Sequence, residues 1–287
     1  MMKRRHCTKP PLQFLLTAVF LVLPALSFAG SVFVSGHDPD FHAQPVGPNP
    51  TGAQHVIQDS LTFARNGNTA PILFLESNTS NLGLGDHLDS VIGLQASGYT
   101  AGNTPGNHYV EVNATTFATT NLSIFSAILI PSDHGGILTG DDLKALNARS
   151  ADILSYINAG GGLVAFAEDG DHTPAAVGPQ PAVFGFLPFL VTSTALSEAE
   201  NGNTLTPFGS SLGLTTADIN GNFSHNIFTA TGGMTVVDRD SGGQILSLGF
   251  SGQLTSGGVT PEPASLFLMG TGLATLVLWR LRRKSNN

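Results

Sequence analysis

Short apolar runs alternate with amphipathic stretches through the first 170 residues of the chain. Ser31 to Ser35, Pro71 to Leu75, Tyr109 to Val112, Phe125 to Ile130 and Leu163 to Ala167 are short, apolar and bounded by polar or glycine-rich turns, which predicts buried strands. Between them the spacing becomes helical. Ala53, Val56, Ile57, Leu61 and Ala64 fall on one helical face that stops at Gly67. Asp86 heads a second helix with Leu88, Val91, Ile92 and Gln95 as its face and Gly98 as its end. Thr139 and Asp142 form a capping box, with Asp in place of Glu, at the head of a third. Its core face is Leu143, Leu146, Ile153, Leu154 and Ile157, and Gly160-Gly161-Gly162 ends it. Strands alternating with helices imply a mostly parallel sheet with helices on both faces. Past Asp171 the pattern loosens: Phe184 to Thr192 is apolar but interrupted by Pro188, and Phe208 to Leu214 reads as a short helix. Met234 to Val237 and Gln244 to Phe250, joined by a Ser-Gly-Gly turn, predict a C-terminal hairpin on the sheet edge.

The two ends follow a different pattern. Lys3, Arg4, Arg5 and Lys9 precede an apolar run from Leu12 to Leu23, and Ser27-Phe28-Ala29 supplies small residues where a signal peptidase reads them. Residues 1–29 are therefore expected as a signal peptide cut between Ala29 and Gly30. His6-Cys7-Thr8 after the Arg pair departs from the twin-arginine pattern, so general secretion is expected. At the other end, Pro261-Glu262-Pro263 is followed by an uncharged apolar stretch from Ala264 to Trp279, then by Arg280, Arg282, Arg283 and Lys284. As a helix that stretch reaches roughly 24 Å at ~1.5 Å per residue, slightly short of a hydrocarbon core. The cations mark its cytoplasmic end. The expected organisation is an exported domain over residues 30–250, a Gly/Ser/Thr linker over 251–263, a transmembrane helix over 264–281 and a basic tail over 282–287. The main domain then lies outside the cytoplasm, anchored in the inner membrane and open to release at the cell surface or matrix.

Charge changes once the ends are set aside. Eight of the twelve cations belong to them, and Glu262 is the one acid of twenty outside residues 30–258. Four cations against nineteen acids leave that stretch at −15, where the whole chain is at −8. Such a surface excludes nucleic acid as a partner. Cys7, the one cysteine, falls in the signal peptide, so disulfides, thiolate metal sites and cysteine nucleophiles are absent from the exported part.

The C-terminal order of Pro-Glu-Pro, apolar span and basic cluster resembles the PEP-CTERM sorting signal over about the last 27 residues. The resemblance implies retention in the inner membrane until an exosortase-type protease cuts near the motif. The stretch from Ala127 to Glu168, a buried strand, a capped helix and Ala-Gly-Gly-Gly-Leu-Val-Ala-Phe, resembles the class I glutamine amidotransferase-like fold, in its ThuA-like branch. His225-Asn226-Ile227 faintly resembles the His-Pro-Ile segment of some of those proteins. The fold class expected on these grounds is flavodoxin-like α/β. Where an amidotransferase carries its cysteine this chain reads Glu168-Asp169-Gly170, so glutamine hydrolysis by that route is not available.

In an open parallel sheet ligands bind beyond the carboxyl ends of the strands. Those ends deliver His37-Asp38-Pro39-Asp40-Phe41-His42, Glu76, Ser132-Asp133-His134 and Glu168-Asp169-Gly170-Asp171-His172. Imidazole with carboxylate suits general acid–base work or a divalent cation. His37, Asp38, Asp133, His134 and Glu168 lie closest to their strand ends and are the catalytic candidates; Asp40, His42, Asp169, Asp171 and His172 join them as metal-ligand candidates. The same residue types also serve turns and helix starts, and no calcium-loop, HExxH, G-x-S-x-G or phosphate-loop spacing is present. His55, His87 and His108 read as structural. Two functions stay open. One is a non-catalytic exported protein of the envelope or exopolysaccharide layer. The other is a metal- or His/acid-dependent hydrolase acting on extracellular carbohydrate. Signal peptidase, the exosortase-type protease, the inner membrane and exopolysaccharide are the expected partners.

Overall fold

The computed structural model describes residues 30–45, 48–76, 87–133, 138–168, 183–187, 191–199, 202–221, 223–255 and 258–260. The expected signal peptide over 1–29, Pro261, Glu262, Pro263, the expected span over 264–281 and the basic tail lie outside them, as do His134, Asp169, Asp171 and His172. Among the described residues no helix is long and apolar enough to cross a membrane.

The chain is mixed α/β around one eleven-stranded sheet. Its parallel part contains β1 (Ser31–Ser35), β2 (Ile72–Leu75), β3 (Thr100–Ala101), β4 (His108–Val112), β5 (Ala127–Ile130) and β6 (Gly162–Ala165), in the spatial order β3-β4-β2-β5-β6-β1. The antiparallel part contains β7 (Val191–Ala199), β8 (Thr204–Leu205), β9 (Phe223–Thr231), β10 (Thr235–Arg239) and β11 (Ile245–Ser251). β11 joins the two parts, pairing antiparallel with β1 from Ser31↔Ser251 to Ser35↔Ser247. β10 then β8 continue the sheet beyond it, while β9 pairs with β11 at Phe228 and carries β7.

Two expectations are corrected by this order. A flavodoxin-like sheet places its first strand between the second and third, whereas β1 lies between β6 and β11. The C-terminal hairpin exists as β10 and β11, but inside the sheet rather than at its edge. The reason is local: Leu246 to Phe250 of β11 are all buried, and a strand covered on both faces belongs in a sheet interior.

Helices cover both faces. One face gathers Phe33, Phe74, Leu129 and Val164 under α2 (Pro50–Arg65), which contributes Val56, Ile57, Leu61 and Ala64. Asn49 caps α2 through the Gly52 N–H, and Asn66 ends it in the left-handed conformation. The other face gathers Val32, Leu73, Ile128 and Leu163 under α5 (Gly140–Ala148) and α6 (Ser150–Asn158). Each fully buried Leu contributes about 1.5–3 kcal/mol. Residues 139–158, expected as one helix, break at Arg149, which ends α5 and starts α6. The Thr139–Asp142 capping box is present, and Gly160, at φ 99, reverses the chain after α6.

α1 (Pro39–His42) follows β1 directly, and α4 (Ala114–Phe117) and a 3-10 turn (Leu122–Ile124) precede β5. α7 (Pro207–Ser211) lies against β10. α3 (His87–Ala96) forms where expected and packs Val91 against the core, but Ser90, Gly93 and Leu94 are buried while Ile92 and Gln95 of the expected face are exposed. A Cβ on Gly93 would lie 2.3 Å from the Asp40 carbonyl oxygen, so small residues let α1 approach. Within residues 251–263, β12 (Gln253–Thr255) pairs with β13 (Gly258–Thr260). Asn158 at the end of α6 binds both the N–H and the C=O of Leu254, at 2.8 and 2.9 Å.

Candidate functional site

The carboxyl ends of β1, β6 and β5 are stitched together beyond their strands. The Ala167 N–H donates to the His37 carbonyl at 3.0 Å, and the Asp133 N–H donates to the Ala167 carbonyl at 2.8 Å. His37, Asp133 and Glu168 therefore share one edge, as expected, and Glu76 lies beyond β2, where its N–H donates to Val112. All are buried, along with Asp38, Asp40, His42 and Ser132.

β9 closes this edge from the antiparallel side. The His225 N–H donates to the Gly36 carbonyl at 2.7 Å, and a Cβ on Gly36 would meet the Asn226 carbonyl oxygen at 1.9 Å. That contact explains glycine between β1 and His37. It also brings up Ser224, His225, Asn226 and, from β10, Asp238, none of which was among the candidate residues. The one sequence signal for them was the faint His225-Asn226-Ile227 likeness. Serine, histidine and asparagine in succession on a strand otherwise give no chemical spacing to read.

The expected cluster is resolved into separate bonded groups. His37 Nε2 is 2.7 Å from Asp238 Oδ2, and His37 Nδ1 is 2.9 Å from Ser224 Oγ. A carboxylate beside Nε2 fixes the ring proton there in the neutral imidazole, so Nδ1 accepts from the serine hydroxyl. Asp, His and Ser in this order are the groups of nucleophilic serine chemistry. Ser224 is fully buried and its hydroxyl faces the protein, so the chain of bonds pins β1, β9 and β10 together.

Asp38, just before α1, lies between two imidazoles. His42 Nε2 is 3.4 Å from its Oδ1, and His225 Nε2 is 3.2 Å from its Oδ2. His225 is the most accessible member, with 11 % of its side chain exposed. Asp40 Oδ2 accepts from the Ser90 hydroxyl and, at 2.9 Å, from the Ser132 N–H. Burial raises the Asp40 pKa, and those hydrogen bonds offset part of the rise.

Glu168 accepts from the Phe184 N–H through Oε2, and its own N–H donates to Asn226 Oδ1 at 3.0 Å. Burial pushes its carboxyl up to about 8, with the Phe184 bond opposing the shift. Phe184 has φ 52, a left-handed conformation costing a non-glycine residue about 1–2 kcal/mol. Its buried ring packs 5.1 Å from that of Phe228 on β9. The edge thus holds a carboxyl that is protonated at neutral pH, able to donate or release a proton.

Among the described residues no three His, Cys, Asp or Glu side chains are gathered to hold a metal ion. His55 binds Asp218 at 2.8 Å and ties α2 to the turn before β9, and His108 lies 3.3 Å from Thr104. The side chain of His87 is outside the description.

Fold and edge together define an α/β domain with a polar, buried carboxyl edge. The chain's end is more specific: residues 259–284 match the PEP-CTERM protein-sorting motif. The amidotransferase-like and ThuA-like resemblance finds no support in any family model. No curated protein and no solved structure matches the chain.

Proposed function

We propose that this is an exported protein, sorted by its C-terminal signal, whose α/β domain is a non-catalytic binding or structural module of the envelope or exopolysaccharide layer. The match over residues 259–284 carries the sorting part. In this reading signal peptidase cuts between Ala29 and Gly30, the span over 264–281 holds the protein in the inner membrane, and an exosortase-type protease releases it near Pro261-Glu262-Pro263. For the domain, the engagement of both His37 ring nitrogens favours a structural edge over a reactive one. The test replaces Pro261, Glu262 and Pro263 together by alanine in cells with and without the protease. Loss of release that depends on both motif and protease supports the reading, and release that continues unchanged rejects it.

A second reading, a His/acid hydrolase, draws on Glu168 held protonated near neutral pH and on the partly exposed His225 beside Asp38. Hydrolysis of a glycan panel that is lost in both Glu168→Gln and His225→Ala would establish it. Activity unaffected by either variant removes these residues from the chemistry.

A further inference from the structure

The opposite edge of the sheet, where the strands begin, borders a cavity of about 400 Å³. Asn68 after α2, Asn121 at the 3-10 turn, and Arg149 and Asp152 at the junction of α5 and α6 line it, with Phe125 and Tyr156. The Tyr156 hydroxyl donates to the Phe125 carbonyl at 3.1 Å, which ties these two aromatic residues together.

Arg149 is fixed in place before any ligand arrives. Its Nη1 donates to the carbonyls of Phe117 and Thr120 at 2.6 and 2.9 Å, and its Nε to Asp152 Oδ2 at 3.0 Å. The guanidinium also lies 5.2 Å over the Phe117 ring. Among the described residues its Nη2 makes no hydrogen bond, and neither does Asp152 Oδ1. The Asn68 and Asn121 side chains accept, through Oδ1, from Ala70 and Ser123, and their amide nitrogens have no acceptor among the described residues. The cavity therefore offers preorganised planar donors, one carboxylate acceptor and aromatic carbon.

That set matches an array of sugar hydroxyls, each of which both donates and accepts. Charge narrows the class. Arg149 is paired with Asp152, so the site adds no net positive charge, and the four cations against nineteen acids of residues 30–258 repel an anion. A neutral sugar meets no such opposition. The volume falls within the small-ligand range of ~300–1,000 Å³ and suits a mono- or disaccharide.

We propose that this amino-edge cleft binds a neutral saccharide through Arg149, Asp152, Asn68 and Asn121. The proposal goes beyond the sorting reading and does not depend on it.

The test uses the full-length chain in a zwitterionic detergent that carries no sugar. Glucose, galactose, mannose, N-acetylglucosamine and their β-linked disaccharides are titrated singly, with saturation-transfer NMR reading contact and calorimetry reading Kd. At least one should bind saturably, and Asp152→Ala and Asn68→Ala should each weaken it about tenfold. Both residues are exposed, so the variants should keep the wild-type circular dichroism and melting. Absence of saturable binding by every neutral sugar, binding unchanged in both variants, or tighter binding of glucuronate than of glucose overturns the proposal.

Discussion

At the carboxyl edge His37 is 3 % exposed, with both ring nitrogens engaged by Asp238 and Ser224. At the amino edge Arg149 is held by three hydrogen bonds, yet it lines a cavity and leaves Nη2 without a partner among the described residues. Conventional reasoning about parallel sheets points to the first edge as the ligand site. The difference comes from the antiparallel part. β9, together with the Asp238 side chain of β10, reaches the residues beyond β1 so closely that these become internal connections, while at the start of the sheet β12 binds Asn158 and the cavity beside Arg149 remains. Strand polarity indicates where a site can form, and what later packs against that edge decides whether it stays open.

Substitutions can break this contrast, and the largest effect is expected at Gly36. Gly36→Ala puts a Cβ against the Asn226 carbonyl and should destabilise by about 3 kcal/mol or more, measured by denaturant unfolding. A wild-type midpoint would mean that β9 does not close the edge. Next comes Asp238→Ala, which leaves His37 buried without its carboxylate and should cost about 2–4 kcal/mol.

Glu168 sharpens the contrast through pH. Burial raises its folded pKa to about 8, above the ordinary glutamate value of 4.5, so the unfolded chain releases this proton first. Its contribution to stability is fully present below about 4.5 and is lost as pH rises toward about 8. Asp40, also raised, acts in the same direction. Glu168→Gln should flatten the fall, which is at most about 1.4 kcal/mol per pH unit for one group. An unchanged pH profile in that variant would show that Glu168 titrates normally. The smallest effect belongs to the open edge: Asp152→Ala removes an exposed ion pair and should change stability by no more than about 0.5 kcal/mol.

Much of the α/β core was legible because strand length and helical period are local signals. The five expected strands of the parallel sheet, the α2 face and the Thr139 capping box are all in place. What escaped depends on tertiary contact. α3 buries Ser90 and Gly93 instead of Ile92 because α1 needs a close, hydrogen-bonding surface. β7 and β9 carry many Ser, Thr and Asn residues, so neither looks like a strand until the two pair. The helix over 139–158 breaks at Arg149, whose side chain binds the carbonyls of Phe117 and Thr120, distant in sequence. The site was half legible. The residues supplied by β1, β5 and β6 were found from strand ends, whereas Ser224, His225, Asn226 and Asp238 come from strands with no motif to mark them.

The claim that the carboxyl edge is a closed structural seam is tested most directly by histidine modification of the native full-length chain. Diethyl pyrocarbonate is followed residue by residue by peptide mass spectrometry. His55, with 49 % of its side chain exposed, should be modified in the folded protein, while His37 should stay protected until the protein unfolds. His37 reacting as fast as His55 in the folded protein would contradict the account and reopen that edge as a reactive site.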